Sequence, residues 1–150
     1  MKATEKQVEE LNDLLTRNYD AEKGYARAAE EVNDEALKDF FLAYSKQRNK
    51  FGHEIKDQLK KLGGEIDKGS SIAGDLHRGW MDLKGLLTGH DEDAIINECI
   101  RGESTALADY KRVMEDESLN NETREVIRSH HQKIQEAVAK IKELHHILEE

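Results

Sequence analysis

The chain contains no proline, so no residue in it forces a helix to break from within. Its single cysteine, Cys99, rules out an intrachain disulfide and any cysteine-rich metal site. Aromatic residues make up only 5%. No apolar run approaches the length of a membrane span, and the opening MKATEKQVEEL lacks the apolar centre of a signal peptide. A cytoplasmic address with no membrane partner is expected. Clustered Lys and Arg are missing too. The formal net charge is −9, and the basic residues are interleaved with acids as on solvated helix faces. Nucleic acid is therefore not an expected partner, because a phosphate-binding surface needs concentrated positive charge. No Ser/His/Asp arrangement, phosphate loop or dinucleotide fingerprint occurs, so hydrolase and nucleotide-binding readings have no support.

What is present is periodic. Charged residues form 37% of the 150 and apolar residues another 37%, a mixture typical of long amphipathic helices. That length fits a single domain, residues 1–150, with a modest core. Four helices can be read, at about 4–32, 34–62, 91–117 and 121–148. The first opens on a capping box at Thr4-Glu5-Lys6-Gln7. Asn33-Asp34 breaks it and caps the second, whose stripe runs through Leu37, Phe41, Tyr44, Phe51, Ile55 and Leu59 until Gly63-Gly64 stops it. The third starts at Asp91 and carries Ile95, Cys99, Glu103, Ala106, Tyr110 and Val113. The fourth shows Ile127, His131, Ile134, Val138, Ile141, His145 and Leu148.

The connections between the first and second helices and between the third and fourth are short, so each pair forms an antiparallel hairpin. Between the pairs lies a crossover over residues 63–90, far longer than a hairpin needs. It can run the length of a bundle, and a helix of its own is expected from about Ser71 to Leu87. Four helices with one long crossover define an all-α, ferritin-like four-helix bundle. Within the crossover, Trp80 reads as an anchor, and His77 and Arg78 as a cover for one side of the bundle.

Two carboxylates interrupt the apolar stripes: Glu22 on the first helix and Glu103 on the third. A buried carboxylate needs a metal, a cationic side chain or several hydrogen-bond donors. Dimetal bundles take one Glu from each of two helices and a Glu-x-x-His pair from each of the others, and Glu22 and Glu103 stand where the single glutamates would. Counting levels along the hairpins, Glu22 faces Tyr44, Gln47 and Arg48. Glu54 lies about nine residues off that level, roughly 14 Å along the axis, too far to share a metal with Glu22. Glu103 comes level with residues 131 to 135, where His131 lies on the stripe and is preferred to His130. Arg128 precedes His131 by three residues, so no Glu-x-x-His pair forms there.

The candidate metal ligands are thus Glu22, Glu103 and His131, with Gln47, Arg48, Tyr25, Tyr44 and Tyr110 in the same layer. The second helix offers an amide and a guanidinium where a dimetal centre would have a carboxylate and an imidazole. Two readings follow. In one, the layer holds iron or a similar divalent metal. In the other, Glu22, Arg48, Glu103 and His131 form a buried ion network that needs no metal. The rotation of the second helix, with either Gln47 or Arg48 inward, separates them. Neither reading fixes an enzymatic activity. Gly24 and Gly102 beside the two glutamates suit a close helix approach at that level, and Cys99 reads as a small buried hydrophobe.

The motifs DAEKGY, YSKQRNKF, SIAGDLHRGWMDLKGLL and RGESTALADY resemble those of a bacterial domain-of-unknown-function family in the ferritin-like superfamily, related to rubrerythrin and bacterioferritin. The resemblance covers nearly the whole chain and implies the bundle fold, with a stress-related role. Bundles of this kind often pair through a residual apolar face, and a homodimer is expected by that analogy.

Overall fold

The computed structural model describes residues 5–66 and 92–149. The helices in these segments are α1 (Glu5–Glu31), α2 (Glu35–Lys61), α3 (Glu92–Met114) and α4 (Asn121–Glu149). Thr4, Asp91 and most of the crossover, with His77, Arg78, Trp80 and its expected helix, lie outside the described residues.

Local chemistry sets the helix ends. The Asp34 carboxylate caps α2 by accepting the Leu37 backbone N–H at 2.9 Å, which supplies a partner for one unpaired donor of the first turn. Asn120 does the same for α4 through the Thr123 N–H at 2.8 Å. α3 ends at Met114 rather than running to Glu117. Beyond it the Asp116 side chain accepts from both the N–H and the hydroxyl of Ser118, a local turn that competes with the helical ladder. At the end of α2, Gly64 N–H bonds to the Leu59 carbonyl and Gly63 N–H to that of Lys60. This is the glycine-ended helix stop, with Gly63 at φ 73°.

The helices pack in a ring, with α1 against α2 and α3, and α4 against α3 and α2. Every neighbouring pair is antiparallel. Gln7 near the start of α1 meets Ser118 beyond the end of α3, while Asn33 at the other end of α1 meets Glu92 at the start of α3. Lys61 at the end of α2 likewise pairs with Glu122 at the start of α4. α2 and α3 consequently run parallel across the diagonal, and α2 ends at the opposite end of the bundle from where α3 begins. A helix of 27 residues spans about 40 Å, the distance that the long connection exists to cover.

The core is in two parts. One apolar cluster gathers Ala28, Phe41, Ile95, Ile96, Cys99 and Ile141 towards the α1–α2 turn. The other gathers Leu11, Leu15, Phe51, Ile55, Leu59, Ile127 and Ile134 towards the far end. Between them lies a buried layer of polar side chains.

The left-handed backbone at Gly63 gives a direct test. Nothing lies within 4 Å of an added Cβ there, so Gly63→Ala should cost only the conformational penalty, about 1–2 kcal/mol, read as a lowered urea midpoint with unchanged slope. Gly64→Ala should cost more than the ordinary glycine exchange, because its Cβ would come within 2.8 Å of Val8.

Candidate functional site

At the centre of the polar layer, Arg48 points inward and is 1% exposed, facing a fully buried Glu103. Its two terminal nitrogens donate to the two carboxylate oxygens, each at 2.5 Å. This is the bidentate geometry in which a guanidinium binds a carboxylate most strongly. Arg48 comes from α2 and Glu103 from α3, so the pair bridges the diagonal of the bundle. Tyr25 of α1 donates its hydroxyl to Glu103 Oε2 at 2.7 Å. The guanidinium also lies over two rings, 5.7 Å from that of Tyr25 and 5.6 Å from that of Phe51, contacts that favour a cation. Arg48 Nε donates to half-buried Gln47 at 3.3 Å.

Burial opposes the charge on Arg48. The Glu103 carboxylate, its hydrogen bonds, and then Tyr25 and Tyr110 outweigh that cost, and the guanidinium is held above its ordinary value. Burial and then the Glu103 charge push the Tyr25 phenol well up. They push up the Cys99 thiol in the same way, which leaves it an inert core residue.

A second chain of polar groups runs beside the ion pair and out to the surface. Asn18 Nδ2 donates to the Tyr110 hydroxyl oxygen at 2.7 Å. The Tyr110 hydroxyl faces His130 Nδ1 at 3.0 Å, and His130 Nε2 faces Glu54 Oε1 at 3.1 Å. A carboxylate accepts only, so Nε2 carries the imidazole proton and Nδ1 accepts from the phenol; the tautomer is assigned from these partners. The ring of His130 stacks on Phe51 at a centroid distance of 4.0 Å and an interplanar angle of 14°. Burial pulls His130 down to about 4, against the Glu54 hydrogen bond and charge, with Arg48 and Lys133 adding to the depression. Burial also pushes the Tyr110 phenol up.

The residues singled out from sequence divide sharply. Arg48, Glu103 and Tyr25 meet in one cluster, and Tyr110 adjoins it. Tyr44 is half-buried and packs on Phe40 and Tyr25. Glu22 is not on the inner face: it is half-buried, and Asn49 on the exposed α1–α2 seam donates to its Oε2 at 3.1 Å. His131 is half-buried as well, pulled down by partial burial and by Lys111. The inward histidine is His130. The buried line of α4 is Ile127, His130, Ile134, Ala137 and Ile141, alternating steps of three and four, and a choice of 131 and 138 rotates that face by about one residue. Glu54, set aside for its distance from Glu22, belongs to a different level, where it meets His130.

Residues 6–117 match a family described as Domain of unknown function (DUF2383). No curated protein matches the chain. Among solved structures, the bundle is similar to the bacterioferritin-related protein from Bacteroides fragilis, a dodecameric thioferritin in the bacterial domain, with a TM-score of 0.70. The two are 13% identical, over 99% of this chain and 91% of that one. At that identity the likeness establishes a shared ferritin-like fold.

A bundle of this kind raises the question of a dimetal centre, and the described side chains do not fit one. Such a centre takes Glu-x-x-His from each of two helices. At the level of the polar layer the inward pairs at that spacing are Arg48 and Phe51 on α2, and Ile127 and His130 on α4. Glu103 is the carboxylate of the layer, and Arg48 engages both of its oxygens. Among the described residues, no group of three or more His, Cys, Asp or Glu side chains is disposed to hold a metal ion.

The neutral, buried His130 sets a pH dependence whose sign is fixed. Its folded value, about 4, lies below the ordinary 6.5, so the unfolded chain binds more protons between them and stability falls as the solution is acidified. From pH 7 to pH 5 this group should remove about 2 kcal/mol. Comparing the pH dependence of urea unfolding in wild type and His130→Gln isolates that contribution, which should vanish in the variant.

Proposed function

The chain belongs to the DUF2383 family, a domain of unknown function, and on that premise we propose that it is a non-enzymatic ferritin-like helical module with an internal ion pair where related bundles hold a metal. The observation that carries this reading is the bidentate contact between fully buried Arg48 and Glu103. A divalent metal in this layer would need carboxylate oxygens that the guanidinium already occupies. It would also suffer the repulsion of a fixed positive charge a few ångströms away.

The layer so described acts on structure. A charged pair joining diagonal helices is satisfied in one register only, because a slip of either helix would leave a buried charge alone. The reading includes self-association, for which the dodecameric relative is the support. Among the described residues the large exposed apolar side chains are Leu42 and Ile147, and no helix is long and apolar enough to cross a membrane.

Iron binding is the competing reading, and one loading experiment separates the two. Chelator-stripped protein is given Fe(II) under anaerobic conditions, desalted and measured by elemental mass spectrometry, beside a Glu22→Ala/Glu103→Ala control. The ion-pair reading expects no retained iron that depends on these glutamates, and no rise in melting temperature on metal addition. About one or two irons per chain, the load of a mono- or dinuclear centre, lost in the control, would establish the metal reading instead.

A further inference from the structure

The layer contains two fully buried tyrosines, and their hydroxyls face very different acceptors. Tyr25 donates to Glu103, whose oxygens are committed to Arg48. Accepting a proton there would break a buried ion pair. Tyr110 donates instead to a neutral imidazole nitrogen, His130 Nδ1 at 3.0 Å. The other imidazole nitrogen lies 3.1 Å from Glu54, whose side chain is 41% exposed. Tyr110 thus has a base in contact, a carboxylate behind that base, and an exit to solvent. Its oxygen also accepts from Asn18, an interaction that persists when the hydroxyl proton leaves.

A phenol with this surrounding can lose an electron while its positive charge passes to an imidazole already paired with a partly exposed carboxylate. The oxidised phenol is a strong acid, and an unneutralised charge in the interior is costly. Its proton must therefore move as the electron does, and a positioned base accelerates such a transfer. We propose that Tyr110 is a redox-active residue that gives one electron to a small oxidising radical while passing its phenolic proton to His130. The O–H bond of Tyr110 breaks and an N–H bond forms at His130 Nδ1. The radical is reduced by one electron. A neutral tyrosyl radical is left on Tyr110, and the new imidazolium is paired with Glu54, which can hand the Nε2 proton on to water. Return of one electron and one proton restores the starting state. In this role the bundle interior is a sink for one-electron oxidising equivalents, with the phenol shielded by the apolar cluster around Leu14, Phe51 and Ile134.

The same contacts would exist in a purely structural network, so the test must read the radical itself. The full chain, with ring-deuterated tyrosine, is oxidised with pulse-generated azidyl radical and followed by transient absorption and freeze-quenched electron paramagnetic resonance. The proposal expects a persistent tyrosyl signal that disappears in Tyr110→Phe and survives in Tyr25→Phe. In His130→Gln, which cannot take the proton, its formation should slow on the order of 10²-fold. Glu54→Gln alters a partly exposed side chain and provides the same kinetic test if the His130 variant folds poorly; there too the signal should form more slowly. A signal of equal yield and lifetime in Tyr110→Phe would place the radical on Tyr19, Tyr44 or another residue and overturn the proposal. Formation rates in the Glu54 and His130 variants equal to that of wild type would overturn it as well, leaving those contacts a structural role.

Discussion

The bundle is organised around one charged contact, the bidentate pair between Arg48 and Glu103. It joins α2 and α3, one of the two diagonal pairs that do not touch along their backbones, and it does so at the level where the apolar core is interrupted. Two buried charges cost several kcal/mol each to remove from water. They are tolerable here because every requirement is met: two short hydrogen bonds between them, a third from Tyr25, and two aromatic faces beneath the guanidinium. A pair of this kind adds little net stability over apolar side chains of the same shape. What it adds is a penalty for every arrangement in which the partners fail to meet.

The rest of the layer depends on that contact. Phe51 lies one turn from Arg48, and its ring faces the guanidinium and stacks on His130. The stacked imidazole is in turn fixed by Tyr110 and Glu54, and Tyr110 by Asn18. All four helices thus contribute to two neighbouring sets of polar groups, the Arg48–Glu103–Tyr25 cluster and the Asn18–Tyr110–His130–Glu54 chain, with the Phe51 ring in contact with both. Because the interior is poorly polarisable, each member of such a set is expensive to leave unpaired. The positive charge of Arg48 also helps to keep His130 neutral, so that imidazole can accept the Tyr110 proton while its other nitrogen donates to Glu54.

Much of this could be read from the residues. Short connections at Asn33-Asp34 and at Asn120, against the long segment between the two hairpins, imposed parallel diagonal helices. Glu103 interrupted an otherwise apolar stripe and needed a counter-charge, and Arg48 was at the matching level. What could not be read was rotation. Glu22 sits on an apolar period, yet α1 is buried against both α2 and α3, so its stripe is too broad to say which edge faces the centre. In α4 the adjacent histidines differ by about 100° around the helix, and the periods through 130 and through 131 share Ile127, Ile134 and Ile141. Only the packed partners, Phe51 and Tyr110, decide between them. The Tyr110–His130–Glu54 chain stayed hidden for the same reason, since its members come from three helices and share no local motif.

A double-mutant cycle on Arg48→Met and Glu103→Leu, measured by urea unfolding, tests the central contact most directly. Each single change strands a buried charge and should cost about 3–5 kcal/mol. The double variant, which removes both charges, should be far more stable than the sum of the two losses predicts. Single losses that are small, or a double variant whose loss equals their sum, would show that the pair does not hold the layer together.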